Sequence, residues 1–422
     1  MTFTKNSELR SIGEYAFSST PIETVEFPSG LIEIEKGAFY RCINLKNVIF
    51  PENIKLKLIS NDLFSYSGIE KIAIPSNVIK ICEKAFFHCK QLRTVTIPSD
   101  SKLEIIDIKS FSNSAIERIS LPNSIIKIED DAFSDCFNFK EIFAPLESNL
   151  RFIGNSTFSF SSLDTICIPS RLEEFGNGCF RGTKNLINIT ISPKNNRFHY
   201  CDNKLLLYKS EENLDNYNVL VLSACDKELI EIPSYVTRIE SFAFEECNNP
   251  KKVEFLPNSE LESIDINAFY RSALEEISIP STVKSIGNNC FQSCKQLKSV
   301  VFQPNSKLLE IKAFGFSSSG IEHITLPKSL TKLGFSSFNS CNNLKNITFE
   351  QNSCIDYIGD SSFQQTAIKC ILIPKGVSRI EQRTFSCCKN LAFVEILGDS
   401  LFLGSGSFEC TENLQVISFP NA

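Results

Sequence analysis

The 422-residue sequence has no Trp, a single Met and only three His. His88, His199 and His323 are far apart in the chain, so their spacing holds no His-based metal cluster or catalytic triad. No apolar run reaches the roughly 18–20 residues a membrane-spanning helix needs, which excludes membrane insertion by helices. Met1 is followed by Thr-Phe-Thr-Lys-Asn-Ser with no apolar stretch, so no secretory leader is legible. Net charge is only -6, with acidic and basic residues interleaved, which excludes the basic footprint of a nucleic-acid binder. The one Gly-rich run, Gly404-Ser405-Gly406, leads into no helical pattern and is not a phosphate loop. Nothing here calls for a cofactor or a metal.

Phenylalanine, by contrast, is abundant and regular. Phe17, Phe39, Phe64, Phe86, Phe111, Phe133, Phe158 and Phe180 are spaced alternately by 22 and 25 residues, giving a repeat of 47. Phe244, Phe269, Phe291, Phe316, Phe338, Phe363 and Phe385 resume the beat, which shortens to 23 at Phe408. Self-similarity at this length predicts a solenoid, in which each repeat packs only on its neighbours. Within a rung, the apolar trio Leu45, Val48 and Phe50 ends in alternation and is closed by Pro51. That pattern predicts a short strand with one face on a core, and Pro fits its end because it cannot donate to a ladder. The following segment, such as 31–39, is too short for a regular helix; it predicts a second short strand and a helical or 3₁₀ corner turn. The expected fold is a β-rich solenoid of stacked parallel strands with about 17 rungs.

Two side-chain ladders follow from the beat. Three residues after each Phe, one rung type carries a hydroxyl (Thr20, Ser67, Ser114, Ser161, Ser272, Ser319, Thr366). The other carries Cys42, Cys89, Cys136, Cys247, Cys294, Cys341 or Cys388, with Thr183 and Thr411 as exceptions. A small hydrogen-bonding side chain in a turn explains this position; no His or other base recurs beside it to make a nucleophile. Cysteines two rungs apart would lie about 10 Å from each other, beyond the roughly 7 Å a disulfide allows, so these are expected to be reduced. The second ladder is charged and outward-facing. Glu23, Glu70, Glu117, Asp164, Glu275 and Glu322 alternate with Lys46, Arg93, Lys140, Lys251, Lys298 and Lys345. Opposite charges on neighbouring strands fix register at about 0.2–1 kcal/mol per pair and can also form a recognition surface. Near the C-terminus the stripe gives way to Cys370, Leu372, Ala392 and Phe393, an apolar patch that either marks a partner site or lies under a capping segment. The candidate partner-binding residues are therefore Glu117, Lys140, Glu275, Lys298, Glu322, Lys345, Leu372 and Phe393. A recurring loop carries Asp100-Ser101, Asn258-Ser259, Asn305-Ser306 and Asn352-Ser353, residues that stabilise turns through their own backbone bonds.

The beat breaks between Phe180 and Phe244, where 17 residues are extra and one corner is missing. Two apolar runs about a polar stretch predict a β-hairpin projecting from the solenoid edge at 198–223. The chain is thus expected to form one solenoid domain, 1–422, with repeat blocks 1–191 and 233–422 flanking an irregular insert at 192–232. The sequence enters in mid-repeat at 11–17 and stops two residues after a full strand at 414–420, so either it is part of a longer protein or its ends meet partners. Uncapped terminal rungs would expose strand edges and favour end-to-end self-association.

The rung Ile-Gly-x-x-Ala-Phe-x-x-Cys-x-x-Leu-x-x-Val-x-Ile-Pro resembles the BspA-like, or Treponema pallidum type, leucine-rich repeat family. Residues 12–17, 85–98 and 286–297 carry the match, and it spans nearly the whole chain. The resemblance implies a non-enzymatic protein-binding scaffold, of which several members are surface proteins engaged in adhesion. It implies an adhesin-like surface antigen that binds host or neighbouring-cell proteins through its sheet. The alternative is an intracellular adaptor, consistent with the absent leader and the reduced cysteines. The resemblance supplies no catalytic residues.

Overall fold

A regular rung contributes two short strands and a corner, because only a few residues at a time alternate between core and solvent. Val48 is buried between exposed Asn47 and Ile49, and the same pattern recurs at Val95 and Ile119. Proline ends these strands, and its carbonyl takes up the turn that follows: Leu31 N donates to Pro28 O (3.2 Å) and Val78 N to Pro75 O (3.0 Å). The computed structural model describes residues 1, 3, 7–201, 204–398 and 402–419. They form two compact units, Met1–Tyr200 and Cys201–Ala422.

In the first unit, eight parallel strands from Thr24–Glu26 to Asn188–Ile191 form one side. Six two-residue strands from Leu58–Ile59 to Glu174–Phe175 form the other. The pairing is in register, with Val25 opposite Val48 and Ile119 opposite Ile142. The second unit repeats the scheme. Strands from Leu229–Ile232 to Asn346–Phe349, and then Cys370–Ile373, Phe393–Ile396 and Val416–Ser418, make the side equivalent to the eight-stranded sheet.

Each unit has its own column of phenylalanines. From Phe17 to Phe180, consecutive ring centroids are 5.1–6.0 Å apart. From Phe244 to Phe408 they are 4.7–5.7 Å apart. All these pairs are stacked. Burying one such ring contributes about 1.5–3 kcal/mol, and each stacked pair about 0.5–1.5 kcal/mol more.

The corners are not helical, contrary to the expectation from the sequence. Each is a run of tight turns: Ala16 N donates to Gly13 O, Ser18 N to Tyr15 O and Thr20 N to Phe17 O. Positive φ two residues before and two after each column Phe interrupts any helix. The pair is Lys109 (54°) and Asn113 (59°) about Phe111, and Asn289 (54°) and Ser293 (61°) about Phe291. Left-handed conformations at non-Gly residues cost about 1–2 kcal/mol each. Here they aim alternate amides at the next rung: Lys109 N, Phe111 N and Asn113 N donate to Asp130 O, Ala132 O and Ser134 O at 2.8–3.0 Å. The corner is therefore a third hydrogen-bonded ladder.

The hairpin exists but does not project. Leu205–Tyr208 pairs antiparallel with Val219–Ser223, and the latter pairs parallel with Arg238–Ile239. Leu205, Leu207 and Leu220 belong to the core of the second unit. Its two strands are apolar on both faces, so both faces need cover. Residues 202 and 203 of the expected span, and residue 420 of the last strand, lie outside the described residues.

One cysteine expectation is also corrected. Cys225 and Cys247 form a disulfide with Cα atoms 5.5 Å apart. The separation of about 10 Å holds for like positions two rungs apart, whereas these two stand on neighbouring rungs, 22 residues apart.

Candidate binding surface

The ladder three residues after each Phe is internal and closed. Thr20 Oγ1 donates to Phe17 O at 2.7 Å, and the Cys42 thiol on the next rung donates to the same carbonyl at 3.0 Å. Cys89, Cys136, Cys294 and Cys341 do likewise, at 2.9–3.1 Å, to Phe64, Phe111, Phe269 and Phe316. Each of these sulfurs also touches the hydroxyl of Ser67, Ser114, Ser272 or Ser319 at 3.3–3.5 Å. Burial pushes these four thiols from an ordinary 9.0 to about 11. At neutral pH they are protonated donors, and the low thiolate fraction makes them poor nucleophiles. The loop residues behave as their types predict: Ser101, Ser259, Ser306 and Ser353 hydroxyls accept from the amide two residues on, at 3.2–3.4 Å.

The outer face of the longer strands is exposed to solvent. The charged stripe is a column at their entrance, tied by backbone bonds from rung to rung. Glu117 N donates to Arg93 O, Lys140 N to Glu117 O and Asp164 N to Lys140 O. In the second unit the column runs Glu228, Lys251, Glu275, Lys298, Glu322 and Lys345 by the same bonds. Ion pairs close only in places: Arg93–Glu117 (3.3 Å), Lys46–Glu70 (3.7 Å), Lys251–Glu228 (3.4 Å) and Lys345–Glu322 (3.2 Å). Among the described residues, Lys140, Glu275 and Lys298 make no ion pair within 4.0 Å. Exposed pairs of this kind contribute about 0.2–1 kcal/mol, so the stripe is a weak staple. Its charges stay available for other partners.

Arg93, Glu117, Lys140 and Asp164 line a shallow depression of about 400 Å³, together with Arg118 and Glu141 of the adjacent column. Glu117 and Lys140 thus come together in the first unit. Glu275, Lys298, Glu322 and Lys345 come together in the second. Leu372 and Phe393 stand on paired strands, with 43% and 39% of their surface exposed, and Phe393 lies between Cys370 and Val416 in register. They are not singular: Ile49, Phe143 and Val301 are equally exposed on the same kind of strand.

Two features escaped sequence reasoning. Glu228 extends the stripe, and its position 23 residues before Lys251, as Glu23 is before Lys46, is the signal that identifies it. The other is an aromatic column on the outer corners of the first unit. Tyr40 meets Tyr66 edge-on at 5.6 Å, Tyr66 stacks on His88 at 4.8 Å, and Arg41 lies over both tyrosines at 5.3 and 5.5 Å. Burial, with Lys90 nearby, lowers the His88 pKa, which favours the neutral ring in this stack. His323 lies elsewhere, on a strand, where its Nδ1 is 3.2 Å from Asn346 Nδ2. Among the described residues, no group of three or more His, Cys, Asp or Glu side chains could hold a metal ion, and no helix is long and apolar enough to cross a membrane.

The profile of the BspA type leucine rich repeat region, in six copies, matches residues 10–140, 104–204, 221–319 and 309–422. No curated protein matches the chain. Among solved structures, the pneumococcal vaccine antigen PcpA is similar, with TM-score 0.62, 21% identity, and coverage of 86% of this chain and 85% of that one. A leucine-rich cell surface protein of Faecalibacterium prausnitzii gives TM-score 0.56 and 21% identity over 94% and 90% of the two chains. A leucine-rich repeat protein of Eubacterium ventriosum gives TM-score 0.56 and 22% identity over 84% and 85%. At these identities the likeness is one of fold.

Proposed function

Because the chain belongs to the BspA-type leucine-rich repeat family, we propose that it is a non-enzymatic protein-binding scaffold, acting as an adhesin-like surface antigen. In this reading residues 1–422 serve as one binding domain, and the outer strand faces engage host or neighbouring-cell proteins. One observation carries it: the strand face presents ordered, uncovered columns of charge, with exposed apolar side chains such as Phe143, Leu372 and Phe393 among them. Such a face is preorganised by the rung-to-rung ladders, so little conformational entropy is lost on binding and many weak contacts can sum. The fold similarity to PcpA and to a bacterial cell surface protein supports surface display.

The test is binding of the purified chain to immobilised extracellular-matrix proteins, paired with protease accessibility of the tagged protein on intact cells. Binding weakened about tenfold by Glu117→Lys with Lys140→Glu, and cleavage on intact cells, are expected. Full protection until lysis refutes the surface role. It would leave the second reading, an intracellular adaptor, which is favoured by the exposed thiols of Cys354, Cys370 and Cys410, unusual for an oxidising compartment.

A further inference from the structure

Two of the exposed or half-buried cysteines are not isolated. Cys387 and Cys410 each stand two residues after a column phenylalanine, Phe385 and Phe408, on consecutive rungs. Both take the left-handed backbone conformation of that position, with φ of 58° and 57°. The rungs are joined at this very point, because Cys387 N donates to Glu409 O at 2.7 Å. At several rungs the side chains at this position meet their counterparts one rung on. Tyr66 stacks on His88 at 4.8 Å, Arg271 pairs with Glu246 at 3.4 Å, and Ser340 donates to Gln365 at 2.9 Å. Position, backbone conformation and column contact therefore put the Cys387 and Cys410 sulfurs side by side on the outside of the corner.

The geometry points to Cys387 and Cys410 as a surface dithiol that closes to an inter-rung disulfide by exchange with a small-molecule disulfide such as oxidised glutathione. Rungs stacked at about 4.8 Å place like positions within the roughly 4.4–6.8 Å between Cα atoms that a disulfide spans. The Cys225–Cys247 bridge, with Cα atoms 5.5 Å apart on neighbouring rungs, shows that the rung spacing accommodates such a bond. Apart from Cys247, whose partner Cys225 takes the place of a ladder hydroxyl, the buried ladder cysteines cannot do the same, since they alternate with hydroxyl residues and the next ladder cysteine is two rungs away. The neighbouring Cys387 raises the Cys410 pKa above its ordinary value, with Glu409 and Glu412 adding to the effect.

The exchange balances without any further reagent. The thiolate of one cysteine attacks a sulfur of the small disulfide, forms a mixed disulfide and releases one glutathione. The second cysteine, losing its proton to the released thiolate, attacks the protein sulfur of that mixed disulfide and releases the second glutathione. Two protein thiols are oxidised and one oxidised glutathione is reduced to two thiols.

The experiment treats the folded full chain with excess oxidised glutathione, quenches the thiols, digests and reads the peptides by mass spectrometry. The peptides holding Cys387 and Cys410 should appear cross-linked, lighter by two hydrogens than the reduced pair. Cys354, which has no cysteine beside it, should instead carry glutathione. In Cys410→Ser or Cys387→Ser, the remaining partner should retain glutathione in at least one of the two variants. Cys387 and Cys410 each recovered with their own glutathione in the wild-type chain, or both recovered as thiols while Cys354 is modified, would overturn the assignment. So would failure of both variants to trap glutathione.

Discussion

Removing one ring from the phenylalanine column tests what holds a rung in place. Phe133 is fully buried and stacks on Phe111 at 5.3 Å, Phe139 at 4.8 Å and Phe158 at 6.0 Å, with interplanar angles of 4°, 3° and 19°. Phe133→Ala deletes the transfer energy of the ring and leaves a cavity between rungs tied by backbone bonds on three sides, so the site cannot collapse freely. Large-to-small changes of this kind cost about 3–5 kcal/mol. The internal control is Phe143→Ala, since Phe143 points outward and is 47% exposed; it should change stability by no more than about 0.5 kcal/mol. Urea unfolding followed by far-ultraviolet circular dichroism suits a chain without Trp. Because neighbouring rungs stabilise one another, the loss should lower the midpoint of the first unit as a whole. A cost below about 1 kcal/mol for Phe133→Ala, or equal costs for the two variants, would refute the column as the source of rung stability.

Other outcomes follow from the ladders. The buried thiols of Cys89, Cys136, Cys294 and Cys341 have folded pKa values raised to about 11 from an ordinary 9.0. Their contribution is fully present below pH 9.0 and is lost as pH rises through about 11, roughly 3 kcal/mol for each group when complete. Stability should therefore fall steeply in that window, and Cys136→Ser should make the fall shallower. A wild-type stability flat across that window would contradict this. Glu117→Lys places three basic residues in succession with Arg93 and Lys140, and should cost up to about 1 kcal/mol at low salt. Molar salt should erase the loss, because screening then acts within about 3 Å; a salt-independent loss would point to packing instead. Asn113→Pro removes the amide that donates to Ser134 O and forbids the positive φ of 59° there, and should destabilise by about 3 kcal/mol or more, measured by the same urea titration.

The sequence made the stacking legible because one residue type, Phe, occupies one position in nearly every rung. The same periodicity exposed the hydroxyl–thiol ladder and the charged stripe, since each is fixed to the beat. The corners were misjudged for a physical reason. Their turns depend on positive φ at residues as different as Lys109, Asp131, Phe160 and Gln365, and no residue type announces that conformation. The hairpin was read correctly as a hairpin, yet the unbroken apolar runs at Leu205–Leu207 and Val219–Leu222 carried the further message that both faces are buried. Cys225 was overlooked because it stands outside the Phe beat, although its 22-residue distance from Cys247 equals that between Ser67 and Cys89. The candidate binding residues could be placed on one face from alternation alone. Which of them would be left without an ion pair, as Lys140 and Lys298 are, depends on side-chain reach across rungs and was not legible.

Amide hydrogen exchange at single-residue resolution tests the stacked ladder most directly. If the corners bind rung to rung, the amides of Phe111 and Asn113, bonded to Ala132 O and Ser134 O, should be as protected as that of Leu121, which bonds to Phe143 O on the strand side. Exchange at Phe111 and Asn113 as fast as in an exposed loop, with the strand amides still protected, would contradict the account.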